Sequence, residues 1–286
     1  SFLIRKRVMG EEISIEWAKT YFGAGYMAMD LFEDPDLALD FFKQAEFMAR
    51  SSLPAGDIKN WPHIKNLVTG YWLKGDYGAA MFYFNKLINL ESITPFLRFA
   101  SYNELSKLHF QTDDIQNALK YALLAKEYWN ETSVALFDNE LLLVRCYLNL
   151  RNLAACRHHL EICNQIFEEK QPNFQSKGYE ADLLQTKSDY FFILGDFENS
   201  ISLKKAASAV TEKERGGKRS LSTIQLMQDL AKTYLVIGKI PEARETINEL
   251  LYREAKQFKA ADFSQNPAVN RFTRQPYHLR TLALKG

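Results

Sequence analysis

One phrase of residues recurs along this chain about every forty positions, and a repeat of that length leaves few folds open. In its clearest copy a bulky residue, Tyr71, precedes the turn Gly75-Asp76-Tyr77; small Ala80 follows, then Phe84, Leu87 and Leu90. A second copy reads Phe191, Gly195-Asp196-Phe197, Ser200, Ala207 and Val210. A third reads Tyr234, Gly238-Lys239-Ile240, Ala243, Ile247 and Leu250. Such arrays grow one unit at a time, so the 286 residues need not divide into ordinary domains, and one elongated domain is the expectation.

Between the turns, apolar residues return at spacings of three and four, as in Leu141, Val144 and Leu148 or Met227, Leu230 and Tyr234. That period belongs to amphipathic helices, and no alternating strand pattern competes with it. Pro35, Pro62, Pro95, Pro172 and Pro241 stand at or between the expected helix ends, where a missing N–H costs least. The small residue of each second helix forms the series Ala38, Ala80, Ala118, Cys156, Ser200 and Ala243. There two backbones come closest, and a large side chain would overpack the contact. One turn later stand Phe42, Phe84, Ala122, Leu160, Lys204 and Ile247, then Ala45, Leu87, Ala125, Cys163, Ala207 and Leu250. Lys204 is the odd member, expected to carry its charge outward past an apolar seam.

These residues resemble the tetratricopeptide repeat family, whose units are antiparallel helix pairs with a small residue in the second helix and an aromatic late in the first. The resemblance covers roughly residues 13 to 255 and implies an all-α, right-handed superhelical solenoid of about six helix pairs. The expected division is a lead segment, 1–12, then repeats over 13–258 and a basic cap, tail or linker, 259–286. The repeat units fall at about 13–55, 61–94, 99–132, 136–172, 177–212 and 221–256. His109 stands where the family has an aromatic, and Asp113-Asp114-Ile115 replaces the Gly-containing turn. The units are longer than the family's common length, and in that respect the chain looks like the long-helix arrays of bacterial signal-responsive regulators.

In such arrays the first helix of each pair lines an inner groove. Stepping back by helical turns from the late aromatics gives the polar set Lys65, Thr69, Asn103, Lys107, Arg145, Gln185, Asp189, Gln228 and Lys232. The amides suit the backbone of an extended peptide, and the four cations suit a carboxylate. The same row can equally be a solvated face. One residue past each aromatic lie Trp72, Phe110, Leu148, Phe192 and Leu235, which either touch a ligand or pack neighbouring repeats. Thr69 beside Lys65 departs from the Lys and Asn clamp of the chaperone-tail variant, so that specificity does not carry over.

Cys156, His159 and Cys163 share one helical face and are residue types that zinc accepts. Cys156 and Cys163 also occupy the small packing positions of the fourth unit, which accounts for both without a metal. His158 and His159 are expected at a helix surface or interface. The three cysteines, Cys146 included, follow no disulfide framework and point to reduced thiols and a cytoplasmic setting.

No phosphate-cradling glycine loop, nucleophile elbow or metalloprotease motif occurs, so neither an enzyme nor a cofactor is expected. Thirty-six Lys and Arg against thirty-five Asp and Glu remove an overall electrostatic case for nucleic acid, and no apolar run is long enough to span a membrane. The charged 212–219 connection can meet an acidic partner or stay solvated. Residues 263–286 carry Arg271, Arg274, Arg280 and Lys285 without an acid. They can lead to another domain, or cap the last hairpin with Phe272, Tyr277, Leu279, Leu282 and Leu284. The function implied is a non-catalytic peptide- or protein-binding array, the sensor or interaction part of a bacterial regulator; the alternative is a structural adaptor.

Overall fold

A computed structural model describes residues 13–32, 34–90, 93–129, 131–174, 178–214, 221–255, 265–266 and 281–285. The chain divides into two compact units, residues 1–131 and 132–286. Among the described residues the structure is all-α.

The first unit contains α1 (Ile15–Phe32), α2 (Pro35–Ser52), α3 (Trp61–Leu73), α4 (Tyr77–Ile88), α5 (Pro95–Gln111) and α6 (Ile115–Tyr128), with a 3-10 turn, Ile58–Asn60, before α3. The second contains α7 (Val134–Asn149), α8 (Leu153–Phe174), α9 (Tyr179–Ile193), α10 (Phe197–Glu214), α11 (Leu221–Val236) and α12 (Ile240–Glu254). Each odd-numbered helix packs on the even-numbered helix that follows it, giving three antiparallel pairs in each unit.

The recurring phrase encodes the turn inside each pair. At Gly75 the backbone enters the left-handed region, with φ of 76°; Gly195 and Gly238 do the same at 81° and 76°. Asp113 and Arg151 hold the equivalent place with φ of 61° and 58°, although a Cβ is disfavoured there. The geometry lets the next amide reach back to the late bulky residue. Asp76 N–H donates to the Tyr71 carbonyl at 2.9 Å, Asp114 to His109 at 2.9 Å, Asn152 to Tyr147 at 2.9 Å, Asp196 to Phe191 at 3.0 Å and Lys239 to Tyr234 at 2.9 Å. These bonds satisfy helix-end carbonyls that would otherwise lack a partner. The acid of the phrase then caps the following helix: an Asp76 carboxylate oxygen accepts from Ala79 N–H at 3.0 Å, and Asp196 from Asn199 N–H at 3.2 Å. Asn152 does the same for Ala155 N–H at 3.2 Å.

Each member of the small series, from Ala38 to Ala243, is completely buried. Where the first helix offers a hydroxyl at the crossing, it bonds the backbone opposite. Ser106 Oγ donates to the Ala118 carbonyl at 2.6 Å and Ser188 Oγ to the Ser200 carbonyl at 2.7 Å. In the first unit the approach of α1, α2 and α3 is closer still. A Cβ on Gly25 would overlap the buried Phe42 ring, and one on Gly70 would lie 3.2 Å from Leu39 Cα.

Past α12 the described residues 281–285 form a short helical stretch. Leu282 and Leu284 pack against Ile224, Met227, Ala231, Ile247 and Leu250, and Thr281 is buried. This part of the basic segment therefore covers the last pair. Phe272, Tyr277 and Leu279, with Arg271, Arg274 and Arg280, lie outside the described residues, as do the 1–12 lead and residues 215–219 of the charged connection.

Candidate functional site

The expected polar row lies on α3, α5, α7, α9 and α11, the first helices of their pairs. In the first unit its members turn largely to their own helices. Lys65 Nζ sits 5.9 Å from the centroid of the Trp61 ring, and the Thr69 hydroxyl donates to the Lys65 carbonyl at 3.1 Å. Asn103 is 5% exposed. Lys107 pairs with Glu104, an acid one turn back on the same helix, at 2.8 Å.

The second unit gathers part of the row and covers another part. Arg145 Nε donates to Thr186 Oγ1 at 3.3 Å. Gln228 is buried, and its Nε2 donates to Thr281 Oγ1 at 2.8 Å. The C-terminal stretch thus occupies a position that the row assigned to an open groove. Gln185, Asp189 and Lys232 come together around an open cavity of about 310 Å³ lined by α9, α10 and α11. Phe192 of the apolar row joins them from α9. Asp229, Thr233 and Val236 line the α11 side, and Lys204 reaches in from α10.

Lys204 corrects an expectation. Its side chain is 5% exposed, and its Nζ lies 2.9 Å from Asp189 Oδ1, so the charge turns inward. The facing helix supplies a carboxylate there, which lowers the cost of withdrawing an ammonium from water. Asp189 remains 43% exposed at the cavity wall. With Asp229 one turn before Lys232 on α11, the lining holds two acids and two bases. The cation bias read from the first helices alone is therefore absent here.

The remaining polar contacts in the cavity are incomplete. Gln185 Nε2 makes only a long bond of 3.4 Å to Asp189 Oδ1. Its Oε1 is shut away from solvent without a hydrogen-bond partner, a state that costs about 1–3 kcal/mol. Thr233, also in the lining, donates its hydroxyl to the Asp229 carbonyl at 2.8 Å.

The cysteine and histidine face is core. Cys156 and Cys163 are completely buried, and burial pushes the Cys156 thiol up to about 11 and the Cys163 thiol further. His159 is also buried, at the interface of α8 with α7. Its Nδ1 lies 2.5 Å from Glu140 Oε2, and its ring stacks on Tyr147 with centroids 5.3 Å apart. His158 is exposed. Among the described residues no group of three or more His, Cys, Asp or Glu is placed to hold a metal ion, and no helix is long and apolar enough to cross a membrane.

Solved structures share this arrangement of helices at low sequence identity. RapI in its apo form superimposes with a TM-score of 0.69 at 13% identity, over 88% of this chain and 88% of that one. The apo form of the quorum sensor NprR from B. thuringiensis gives 0.70 at 13% identity, over 88% of this chain and 68% of that one. The fold is of the tetratricopeptide-repeat type. A Rap protein complexed with competence and sporulation factor gives a TM-score of 0.59 at 11% identity, over 84% of this chain and 77% of that one. No protein-family model and no curated protein matches the sequence.

Lys204, Asp229 and Thr233 of this repeat site were missed as cavity residues. The available signal for Lys204 was its place as the one charged member of a buried column; for Asp229 it was a position three residues before Lys232 on the same helix.

Proposed function

We propose that this chain is a non-catalytic peptide- or protein-binding repeat array, the sensor or interaction part of a bacterial regulatory protein. The observation that carries the reading is the convergence of Gln185, Asp189, Lys204 and Lys232 on one cavity. Side chains that both donate and accept, on rigid helices beside an apolar wall of Phe192 and Val236, suit the backbone and side chains of an extended peptide. The fold agrees: a similar structure was solved with competence and sporulation factor bound, and another is described as a quorum sensor.

The test is calorimetric titration of a pool of short synthetic peptides into the full chain, followed by the Gln185→Ala, Lys232→Glu double variant. Binding by the native chain that falls at least tenfold in the variant supports the proposal. Binding that persists unchanged removes this cavity as the peptide site.

A second reading, an adaptor joining larger proteins, is favoured by a separate observation. Met27, Phe47, Leu73 and Phe82 in the first unit are 43–56% exposed, and large apolar side chains of this kind mark a protein-binding surface where they gather into one patch. A stoichiometric complex lost on Phe47→Ser and Phe82→Ser, and kept in the cavity variant, selects the adaptor.

A further inference from the structure

We infer that the cavity between α9, α10 and α11 takes an uncharged carboxamide, the side chain of an asparagine or glutamine in a bound peptide. The inference rests on the peptide-binding reading above and names the chemistry of one subsite. Three observations lead to it.

The Lys204 ammonium is almost completely withdrawn from solvent, yet among the described residues it has a single hydrogen-bond acceptor, Asp189 Oδ1. An ammonium carries three donors, so N–H groups at the wall still need an acceptor. Gln185 presents the opposite need, because its buried Oε1 lacks a donor and its Nε2 bond is long. Gln185 lines the cavity, and a turn of its amide that offers Oε1 to an occupant gives up only that weak contact. The lining therefore asks one occupant for an acceptor at Lys204 and a donor at Gln185 or Asp189.

Charge decides which group answers. A carboxylate accepts but cannot donate, and an ammonium donates but cannot accept; a carboxamide does both. The lining already balances two aspartates with two lysines, so a net charge on the occupant would stand uncompensated in a partly desolvated site, whereas a neutral amide would not. Phe192 and the exposed Val236 give the methylene stem an apolar wall. The volume of about 310 Å³ is at the small end of ligand pockets and is ample for a side chain of this size.

The experiment follows amide resonances of the full chain during titration with N-acetyl-glutamine methylamide and, separately, its glutamate and methionine counterparts. The expected result is a dissociation constant of roughly millimolar order for the glutamine probe. Shifts should be confined to the surroundings of Gln185, Phe192 and Thr233, with at least tenfold weaker binding of the other two. Lys204→Met and Gln185→Leu should each remove the response while leaving the melting temperature near that of the native chain. Glutamate binding as tight as glutamine overturns the inference in favour of an anion site, and absence of shifts at these residues with every probe overturns it outright. If peptides from the pool bind while none of the capped residues does, this inference fails and the broader proposal stands. If the glutamine probe binds and no peptide does, the broader proposal fails.

Discussion

Lys204 and Asp189 join α10 to α9 through a 2.9 Å ion pair in which the lysine is enclosed and the aspartate half open to solvent. The asymmetry predicts unequal costs for removing each partner. Asp189→Ala leaves a buried ammonium without its acceptor and should destabilise the chain by about 1–3 kcal/mol. Lys204→Met replaces the cation with an apolar side chain in a column otherwise filled by Phe, Leu, Ile and Ala, and should change stability by under about 1 kcal/mol. In the double variant most of the Asp189→Ala loss should return. Urea unfolding of the four proteins measures this, and equal losses for both single variants would contradict the assignment of burial to the lysine.

This pair also marks where sequence reading stops. The helix pairs were legible because turn, cap and small residue repeat together, so each copy reinforces the others even where Asp113 or Arg151 replaces glycine. Lys204 was visible as an exception, but its direction depends on Asp189, fifteen residues earlier on a facing helix. His159 hid its partner in the same way, since Glu140 belongs to α7. Gln228 matched the polar register and yet lies beneath Thr281, fifty-three residues on. Periodicity sets which face of a helix a residue occupies; what covers that face is decided by contacts that no local pattern carries.

Arg151 occupies the left-handed turn position with φ of 58°, where glycine stands in three other pairs. Arg151→Gly removes a Cβ conflict of about 1–2 kcal/mol and adds unfolded-chain freedom of about 0.5–1 kcal/mol, so a net gain near 0.5 kcal/mol is expected. Asp113→Gly should gain less, because aspartate tolerates this conformation better. Thermal melts check both, and a clear loss in Arg151→Gly would mean that its side chain holds the turn.

The three cysteines are fully buried, and burial raises the Cys146 thiol to about 12 and the Cys156 thiol to about 11. Thiolate is the reactive form, so at pH 8 the folded chain should give almost no colour with an aromatic disulfide reagent over minutes. All three thiols should react at once in concentrated urea. Rapid reaction of one thiol in the folded chain would show that its helix pair opens locally.

Glu254, on α12, is 4% exposed, and burial raises its carboxyl from 4.5 to about 7 against a hydrogen bond from Thr281 that pulls it down. The native chain then holds a proton that the unfolded chain has released. Its stability should be greatest, for this group, below pH 4.5, fall as pH rises toward 7, and level off above. The full change is on the order of 3 kcal/mol. In Glu254→Gln the neutral amide should abolish that slope, so the stability difference between native chain and variant should shift steadily between pH 4.5 and 7. Because Thr281 belongs to the stretch that covers α11 and α12, the protection of amides 281–285 against hydrogen exchange, taken relative to the intrinsic rate at each pH, should fall over the same range in the native chain and stay level in the variant. Parallel stability curves for the two proteins would show that Glu254 ionises without strain and that the C-terminal stretch is held by Leu282, Leu284 and the Gln228–Thr281 hydrogen bond.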